Sequence, residues 1–325
     1  MSIRNRRQFI LATSALAATG ALPIWAQDKW PSKPIKIVVG FPPGGGADAM
    51  ARLVASKLPE KLGQPVIVEN KTGATGTIAS DLVAKSPPDG YTLQLAHINS
   101  NAIGPLLVAK GRFDPVADFT PIALIGITPQ MLCHHPKHKF KDVPDLIRYC
   151  KANPGKISFA SSGVGSIQHI AGEAFKLAAG VDMLHVPFKG TGEAMSALLS
   201  GDVDTTFSST GSALPQVRAG KLTLLAVCSP KRLPAFPDVP AVNETLKGYE
   251  IATWYGLAGP GKLPKEIVDR LNAAVRDIVN QPDIAKRLQD LDAEVSSGTP
   301  EQFATFWKSE NQKYKALIAK AKIEA

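Results

Sequence analysis

The residues best suited to chemistry lie in two glycine-bearing loops, each between an apolar run and a helical pattern. The first loop, 40–48, follows the β-branched run 35–39 and carries three consecutive glycines after two prolines. Glycine leaves backbone N–H groups uncovered, and the first N–H groups of a helix have no internal acceptor. Strand, bare loop and helix start therefore predict an anion-binding site. Phe41 either walls the pocket or packs in the core beneath the loop, and both interpretations stay open.

The same arrangement recurs further along the chain. The apolar run 157–160 is followed by a serine- and glycine-rich loop and then by a helical pattern over 167–179. Two donor-rich loops on one chain predict two lobes that close on one negatively charged ligand. His169 either donates to the ligand or caps its own helix.

Strand and helix patterns alternate through most of the chain, which predicts an α/β protein with mostly parallel, doubly wound sheets. In such sheets ligands bind beyond the carboxyl ends of the strands, where the candidate loops lie. The alternation restarts near Met131, and beyond Tyr249 the pattern is interpreted as helical only, over 265–279, 282–291 and 300–319. An apolar stripe on the first of these helices must be buried, so we expect the tail to pack back on the first domain.

The predicted domain organisation follows from this pattern. Residues 27–130 together with 250–325 form domain 1, and residues 131–249 form domain 2. The two segments that cross between the domains would act as a hinge.

Residues 1–26 are predicted to be an export signal peptide, with a basic start, an apolar run from Phe9 to Ala21 and removal near Ala26. The apolar run is short for a bilayer span. The segment Asn5 to Ile10 resembles a twin-arginine signal, and an ordinary secretory leader is the open alternative. Either one predicts export to the periplasm.

Charge and cysteine content limit the partners. The formal charge is +9, and three of the arginines lie in the leader. A modest basic excess suits an anionic small molecule. Nucleic acid is not expected, because Lys/Arg blocks with interleaved aromatic residues are missing from the sequence. Three cysteines leave at least one thiol free, and a Cys133–Cys150 bridge and three buried thiols are both open.

The motifs that would indicate an enzyme are weaker in this sequence. Gly44-x-Gly46-x-x-Ala49, with Glu69 further on, meets the relaxed dinucleotide fingerprint of an NAD(P)-dependent oxidoreductase, but the two prolines at the turn and the export signal argue against it. Phosphate-loop and hydrolase motifs are missing from the sequence. The cluster His134-His135-x-x-His138 is interpreted as an exposed polar loop rather than a metal site. We therefore expect no catalytic residue, no metal and no cofactor.

Several motifs in fixed order resemble the Bug family, the periplasmic solute receptors of tripartite tricarboxylate transporters. The matching motifs are Trp30-Pro31-Ser32-Lys33-Pro34-Ile35, Gly40-Phe41-Pro42-Pro43-Gly44-Gly45-Gly46-Ala47-Asp48, Asn70-Lys71-Thr72-Gly73-Ala74-Thr75-Gly76, Pro87-Pro88-Asp89-Gly90-Tyr91-Thr92-Leu93, Gly163-Val164-Gly165-Ser166-Ile167-Gln168-His169 and Val186-Pro187-Phe188-Lys189-Gly190. The resemblance covers essentially the whole mature chain.

The resemblance implies a two-domain clamshell of the type II periplasmic-binding-protein fold, without enzymatic activity. A ligand carboxylate would be held between the two loops by backbone N–H groups and ordered water. By the same resemblance, its contacts in the first loop would be Phe41, Gly45, Gly46, Ala47 and Asp48. Its contacts in the second loop would be Ser161, Ser162, Gly165, Ser166 and His169. Thr75 and Asn99 would contact the far end of the ligand. Membrane subunits of a tripartite transporter would be the partners, and a monomer is expected. One departure is the corner His97-Ile98-Asn99-Ser100, where many relatives carry Thr, Ser and Gly. A secreted ligand sensor for a signalling partner is the remaining alternative.

Overall fold

The computed structural model describes residues 30–290 and 293–324. The predicted signal peptide, its removal near Ala26 and the predicted helix end at Leu291 lie outside these residues. Among the residues described, no helix combines the length and the apolar character needed to cross a bilayer.

The described residues form ten strands and a set of helices that cover both faces of the sheet. The strands are β1 Ile35–Val39, β2 Val66–Asn70, β3 Thr92–His97, β4 Phe119–His134, β5 Ser158–Ser161, β6 Leu184–Pro187, β7 Thr205–Ser209, β8 Thr223–Val227, β9 Ala252–Pro260 and β10 Glu294–Val295. The α-helices are α1 Gly46–Ala55, α2 Leu58–Leu62, α3 Thr77–Ala84, α4 Gly104–Leu107, α5 Val143–Ala152, α6 Ile167–Ala179, α7 Thr191–Ser200, α8 Thr210–Arg218, α9 Val242–Thr245, α10 Lys265–Val279, α11 Pro282–Asp290 and α12 Pro300–Ala321. A 3₁₀ turn covers Ala74–Gly76, and a π-helical turn covers Asn99–Ile103.

The sheet order is β2-β1-β3-β9-β4-β7-β5-β6, and β8 and β10 also pair with β4. At one end β2, β1 and β3 pair in parallel, and at the other end β6, β5 and β7 do so. We call the part around β1–β3 the first lobe and the part around β5–β8 the second lobe. The pairings of β4, β8, β9 and β10 are antiparallel.

Strands β4 and β9 carry the chain between the lobes. Residues Phe119–Pro129 of β4 pair with β9, and the following residues, Gln130–His134, pair with β7. The predicted crossover segments are therefore two long strands hydrogen-bonded to each other. An antiparallel pair of this kind can twist, which suits a hinge between two lobes.

The prediction that only helices follow Tyr249 is wrong, because β9 comes first. A Cβ added at Gly256 would lie 2.3 Å from Cζ of Phe303, and one at Gly259 would lie 2.3 Å from Cδ1 of Leu263. Both glycines therefore let neighbouring side chains press against the strand. The strand is buried along nearly its whole length, so it lacks the alternating pattern that identifies a half-buried strand.

The helices that follow β9 pack on both lobes. The predicted bounds of α10 are confirmed, and its apolar side packs with residues of β1 and α1 in one core. Helix α12 lies along β4 and contacts α6 of the second lobe, while Nδ2 of Asn311 donates to the carbonyl of Asn101 in the first lobe (3.2 Å). Its buried aromatic residues Phe303, Trp307 and Tyr314 pack in the core shared by both lobes.

Two local predictions are also corrected. The single helix predicted from Asp48 to Leu58 is two helices, α1 and α2, because Pro59 begins a new turn rather than ending the first helix. Cys133, Cys150 and Cys228 are free and buried, so the alternative of a Cys133–Cys150 bridge is wrong and that of buried thiols is confirmed.

Candidate functional site

The first candidate loop joins β1 to α1 and leaves three helix-start amides available. Gly45 is the N-cap residue of α1, in extended conformation, and has no side chain that could cap the helix. The amides of Gly46, Ala47 and Asp48 form no hydrogen bond with another described residue. Gly46 is exposed, whereas Ala47 and Asp48 are buried. A helix start of this kind favours a bound anion through its free N–H groups and its dipole.

The side chain of Asp48 holds this loop in shape. Its carboxylate accepts hydrogen bonds from the amide of Gly44 (2.9 Å), Nε of Arg52 (2.8 Å) and Nδ2 of Asn70 (2.9 Å). Nδ2 of Asn70 also donates to the carbonyl of Phe41 (2.9 Å). Burial would raise the pKa of Asp48, but these donors outweigh it and lower the pKa to about 2. The carboxylate is thus fully engaged, and only the backbone amide of Asp48 can serve an anion.

Three rings form a wall beside the first loop. The ring centroid of His97 lies 4.6 Å from that of Phe41 and 5.1 Å from that of Tyr255. The phenol oxygen of Tyr255 lies 3.4 Å from the position that a Cβ on Gly46 would occupy. Phe41 is half-buried and packs on the core of the first lobe, and its role as a wall of the ligand pocket stays a prediction. The sequence reasoning missed Tyr255, because β9 was not detected.

The loop that contains Thr75 is held in a strained left-handed turn. Four consecutive residues have positive φ: Gly73 at 126°, Ala74 at 47°, Thr75 at 58° and Gly76 at 88°. Non-glycine residues in this region cost on the order of 1–3 kcal/mol each and concentrate at functional sites. A Cβ on Gly40 would lie 2.7 Å from Cα of Gly76, so this loop touches the first loop through backbone. The contact of Thr75 with a ligand stays a prediction.

The second candidate loop joins β5 to α6, and its own side chains occupy most of its amides. The amide of Ser162 donates to Oε1 of Gln168 (2.6 Å), that of Gly165 to Nδ1 of His169 (3.2 Å), and that of His169 to Oγ of Ser166 (3.3 Å). Oγ of Ser161 accepts from the amide of Gly163 (3.2 Å).

These contacts change which residues of the second loop can serve a ligand. The amides of Val164 and Gln168 form no hydrogen bond with another described residue, and the sequence reasoning missed both. Ser166 is the N-cap of α6, and His169 accepts a hydrogen bond from the turn before its own helix. The second loop is therefore shaped internally and offers fewer donors than the first.

Asn99 connects the two lobes. It lies in the π-helical turn after β3, and its Oδ1 accepts the amide of Ile167, the first residue of α6 (2.9 Å, buried). π-Helical turns are uncommon and often mark functional sites. A buried network fixes this corner: Gln94 bonds to Ser80 and Asn101, and the amide of His97 donates to Oδ1 of Asn101 (3.1 Å). A first-lobe side chain thus caps the helix of the second lobe.

Two histidines stack beneath the second loop. The ring centroids of His169 and His185 lie 3.9 Å apart at an interplanar angle of 11°, and Nε2 of His185 is 2.6 Å from Oγ of Ser161. Burial and the neighbouring Lys176 lower the pKa of His169 to about 4. Burial, His169 and Lys176 lower the pKa of His185 to about 3. Both rings are therefore neutral near pH 7.

Acidification should destabilise the ligand-free protein. Burial also lowers the pKa of His97 to about 3 and lowers that of His134, so four histidines carry depressed values in the folded state, against about 6.5 when unfolded. Between these limits the unfolded chain binds more protons, so the free energy of unfolding rises with pH. We expect the free energy of unfolding to be at its maximum above pH ~6.5. It should fall towards pH 4, by up to about 1.4 kcal/mol per pH unit for each histidine.

Urea unfolding at pH 4.2, 5, 6, 7 and 8 measures this dependence. Working above pH 4 leaves out Asp48, whose carboxylate titrates lower. A His185→Asn variant should show a shallower slope. An unfolding free energy that stays constant between pH 7 and pH 4.5 would contradict the assignment of neutral buried histidines.

Polar side chains near the end of β4 have structural roles. His134 ends β4 and is buried beside Phe140, so the prediction of an exposed polar loop is wrong for it. Asp204 accepts hydrogen bonds from Nε2 of His138 (2.7 Å) and from the amide of Ser158 (2.8 Å), and it therefore ties β7 to β5. Within the described residues, no group of three or more His, Cys, Asp and Glu side chains is arranged to hold a metal ion.

The structure argues against the dinucleotide-binding alternative, because its acidic residue, Glu69, is already paired with lysines. The carboxylate of Glu69 lies 2.6 Å from Nζ of Lys36 and 2.7 Å from Nζ of Lys71. An acidic side chain paired with two lysines is poorly placed to accept hydrogen bonds from a ribose.

Comparison with known proteins identifies the family. The model of the tripartite tricarboxylate transporter family receptors matches residues 50–323. BugT of Bordetella pertussis is 34% identical over 95% of this chain and 94% of its own length. Rpa4515 of R. palustris, solved with adipate, has a TM-score of 0.84 and 32% identity over 91% of this chain and 99% of that chain. MatC of Rhodopseudomonas palustris, solved with malate, has a TM-score of 0.81 and 33% identity over 89% of this chain and 100% of that chain.

The matches cover both lobes and both crossing strands, and they confirm the clamshell fold class and the resemblance to the Bug receptors. The chain belongs to the family of tripartite tricarboxylate transporter receptors.

Proposed function

We propose that this chain captures a small carboxylate in the cleft between its lobes and delivers it to the membrane subunits of a tripartite tricarboxylate-type transporter. The observation that carries the proposal is the set of three unpartnered amides, of Gly46, Ala47 and Asp48, at the start of α1. Two structural neighbours were solved with adipate and with malate, which are both small carboxylates.

The chemistry of these amides suits an anion. Neutral N–H donors can hold a carboxylate without the desolvation cost of a buried counter-charge. Hydrogen bonds from them to a charged acceptor are roughly twice as strong as neutral ones. The nearby carboxylate of Asp48 would repel the ligand if it were unpaired, but Arg52 neutralises it.

The second lobe would close over the bound acid. In this proposal the free amides of Val164 and Gln168 face the ligand, while Ser161, Ser162, Gly165, Ser166 and His169 shape the loop that carries them. Because a ligand held by both lobes favours the closed form, closure is the signal that the membrane subunits would recognise.

The remaining parts of the proposal concern the whole protein. It is exported to the periplasm with residues 1–26 removed, acts as a monomer and catalyses no reaction. Its hinge lies between domain 1, residues 27–130 with 250–325, and domain 2, residues 131–249.

A thermal-shift screen tests the function. Small mono- and dicarboxylates at millimolar concentration should raise the melting temperature, because a ligand that binds only the folded state stabilises it by mass action. The matched control is the primary amide of each acid, which has the same shape but lacks the charge. Equal shifts for acid and amide, or no shift for any acid in the panel, would contradict the proposal.

A further inference from the structure

His97 is a buried donor whose position is fixed by its surroundings. It is the last residue of β3, it is 6% exposed, and its ring lies between those of Phe41 and Tyr255. Its amide donates to Oδ1 of Asn101 (3.1 Å), and its carbonyl accepts from Oγ of Ser100 (3.2 Å). Backbone and ring are therefore both held, and the ring packs against Phe41 of the first loop.

The tautomer of His97 follows from one hydrogen bond. The amide of Asn99 donates to Nδ1 of the ring (3.0 Å), so Nδ1 carries the lone pair and not the proton. A neutral ring with an acceptor at Nδ1 carries its hydrogen on Nε2. Burial, which lowers the pKa of His97, favours the same neutral state. Nε2 forms no hydrogen bond with another described residue.

We propose that Nε2–H of His97 donates to a second acceptor oxygen of the ligand, beyond the carboxylate that α1 binds, and so selects acids that carry such an oxygen. This inference rests on the proposed carboxylate-binding function. The selected class comprises small acids with a hydroxyl, keto or second carboxyl group, as opposed to acids with a wholly hydrocarbon body.

The selection has a physical basis. When a ligand displaces water from an N–H donor, the lost hydrogen bond costs free energy unless the ligand supplies an acceptor in its place. A site built to hydrogen-bond a polar group therefore rejects the analogue that lacks it far more strongly than an apolar pocket discriminates by size. Phe41 and Tyr255 pack against the ring and keep it in place.

Calorimetric titration with matched acids tests the proposal. The first pair is adipate and hexanoate, which lacks the second carboxylate. The second pair is malate and butanoate, which lacks both the second carboxylate and the hydroxyl. The wild type should prefer the first member of a pair by at least ~10-fold. His97→Phe, which keeps an aromatic ring but removes the donor, should reduce that preference by ~10-fold or more through weaker binding of the first member. His97→Gln, which keeps an N–H donor, should retain part of it.

The outcomes separate this inference from the proposed function. If both members of a pair bind and the ratio is the same in wild type and His97→Phe, the inference fails and the function stands. If neither acid of either pair binds the wild type while another acid of the thermal-shift panel does, the inference fails and the function stands. If no acid of the panel binds, both fail. Melting temperatures of the ligand-free variants show whether each one folds.

A spectroscopic readout tests the tautomer directly. Nitrogen-15 spectra of the wild-type imidazoles should show His97 neutral with its hydrogen on Nε2, and addition of the preferred acid should shift the Nε2–H signal downfield. A hydrogen on Nδ1, or an Nε2–H signal that the acid leaves unchanged, would overturn the proposal. A merely structural histidine would not respond to the ligand.

Discussion

Replacing Gly46 by valine is expected to weaken carboxylate binding by ~100-fold or more while leaving the fold intact. The valine side chain would crowd the free amides at the start of α1. Losing two hydrogen bonds to a charged group costs about 3 kcal/mol or more, and every 1.4 kcal/mol is tenfold in affinity. A Cβ at this position meets only Oη of Tyr255, at 3.4 Å, so the substitution has room. Calorimetric titration with the acid that gives the largest thermal shift measures the effect.

A matched control separates loss of the site from loss of the fold. Gly192 lies in the first turn of α7 in the second lobe, where an added Cβ meets nothing within 4 Å. Gly192→Val should therefore bind with wild-type affinity. Gly165 is a poorer test, because its φ of +75° strains any side chain placed there. Unchanged affinity in a folded Gly46→Val protein would remove the first loop from the site.

Replacing Asn99 by alanine is expected to weaken binding by ~10- to 100-fold through the closed state. The change removes the acceptor of the Ile167 amide, which is buried between the lobes. An unpaired buried donor costs about 1–3 kcal/mol, whereas in an open form water would satisfy the same amide. The substitution therefore destabilises the closed form relative to the open form. The dissociation rate of the ligand should rise by the same ~10- to 100-fold as the affinity falls. Stopped-flow fluorescence and calorimetry measure the rate and the affinity.

Asp142→Ala is the matched control for Asn99→Ala. Asp142 caps α5 by accepting the amide of Asp145 (2.8 Å), away from both candidate loops. Its loss should lower stability by about 1 kcal/mol with little effect on dissociation. If the two variants release the ligand at equal rates, the bond between Asn99 and Ile167 does not couple the lobes.

The sequence predicts those features that depend on local chemistry. The glycine run before Asp48 requires a bare turn before a helix, and the structure has one there. The apolar stripe on α10 is periodic, so its bounds could be predicted correctly. The three cysteines follow the general tendency of free thiols to be buried.

The features that were missed depend on tertiary contacts. Strand β9 has no alternating pattern because it is buried on both faces, and its glycines fit the side chains of Phe303 and Leu263. The sequence around Ser162 and Gly165 suggests free amides, but Gln168 and His169 reach back and occupy them. No local pattern could reveal the bond between Asn99 and Ile167, because its partners lie 68 residues apart.

The central claim is that the start of α1 binds the carboxylate of the ligand. A crystal structure of the protein with the acid that gives the largest thermal shift tests it most directly. We predict a carboxylate oxygen within about 3 Å of the amide nitrogens of Gly46 and Ala47, with the second lobe closed over it. A carboxylate bound away from these amides, or a nucleotide lying along the first loop, would contradict the account.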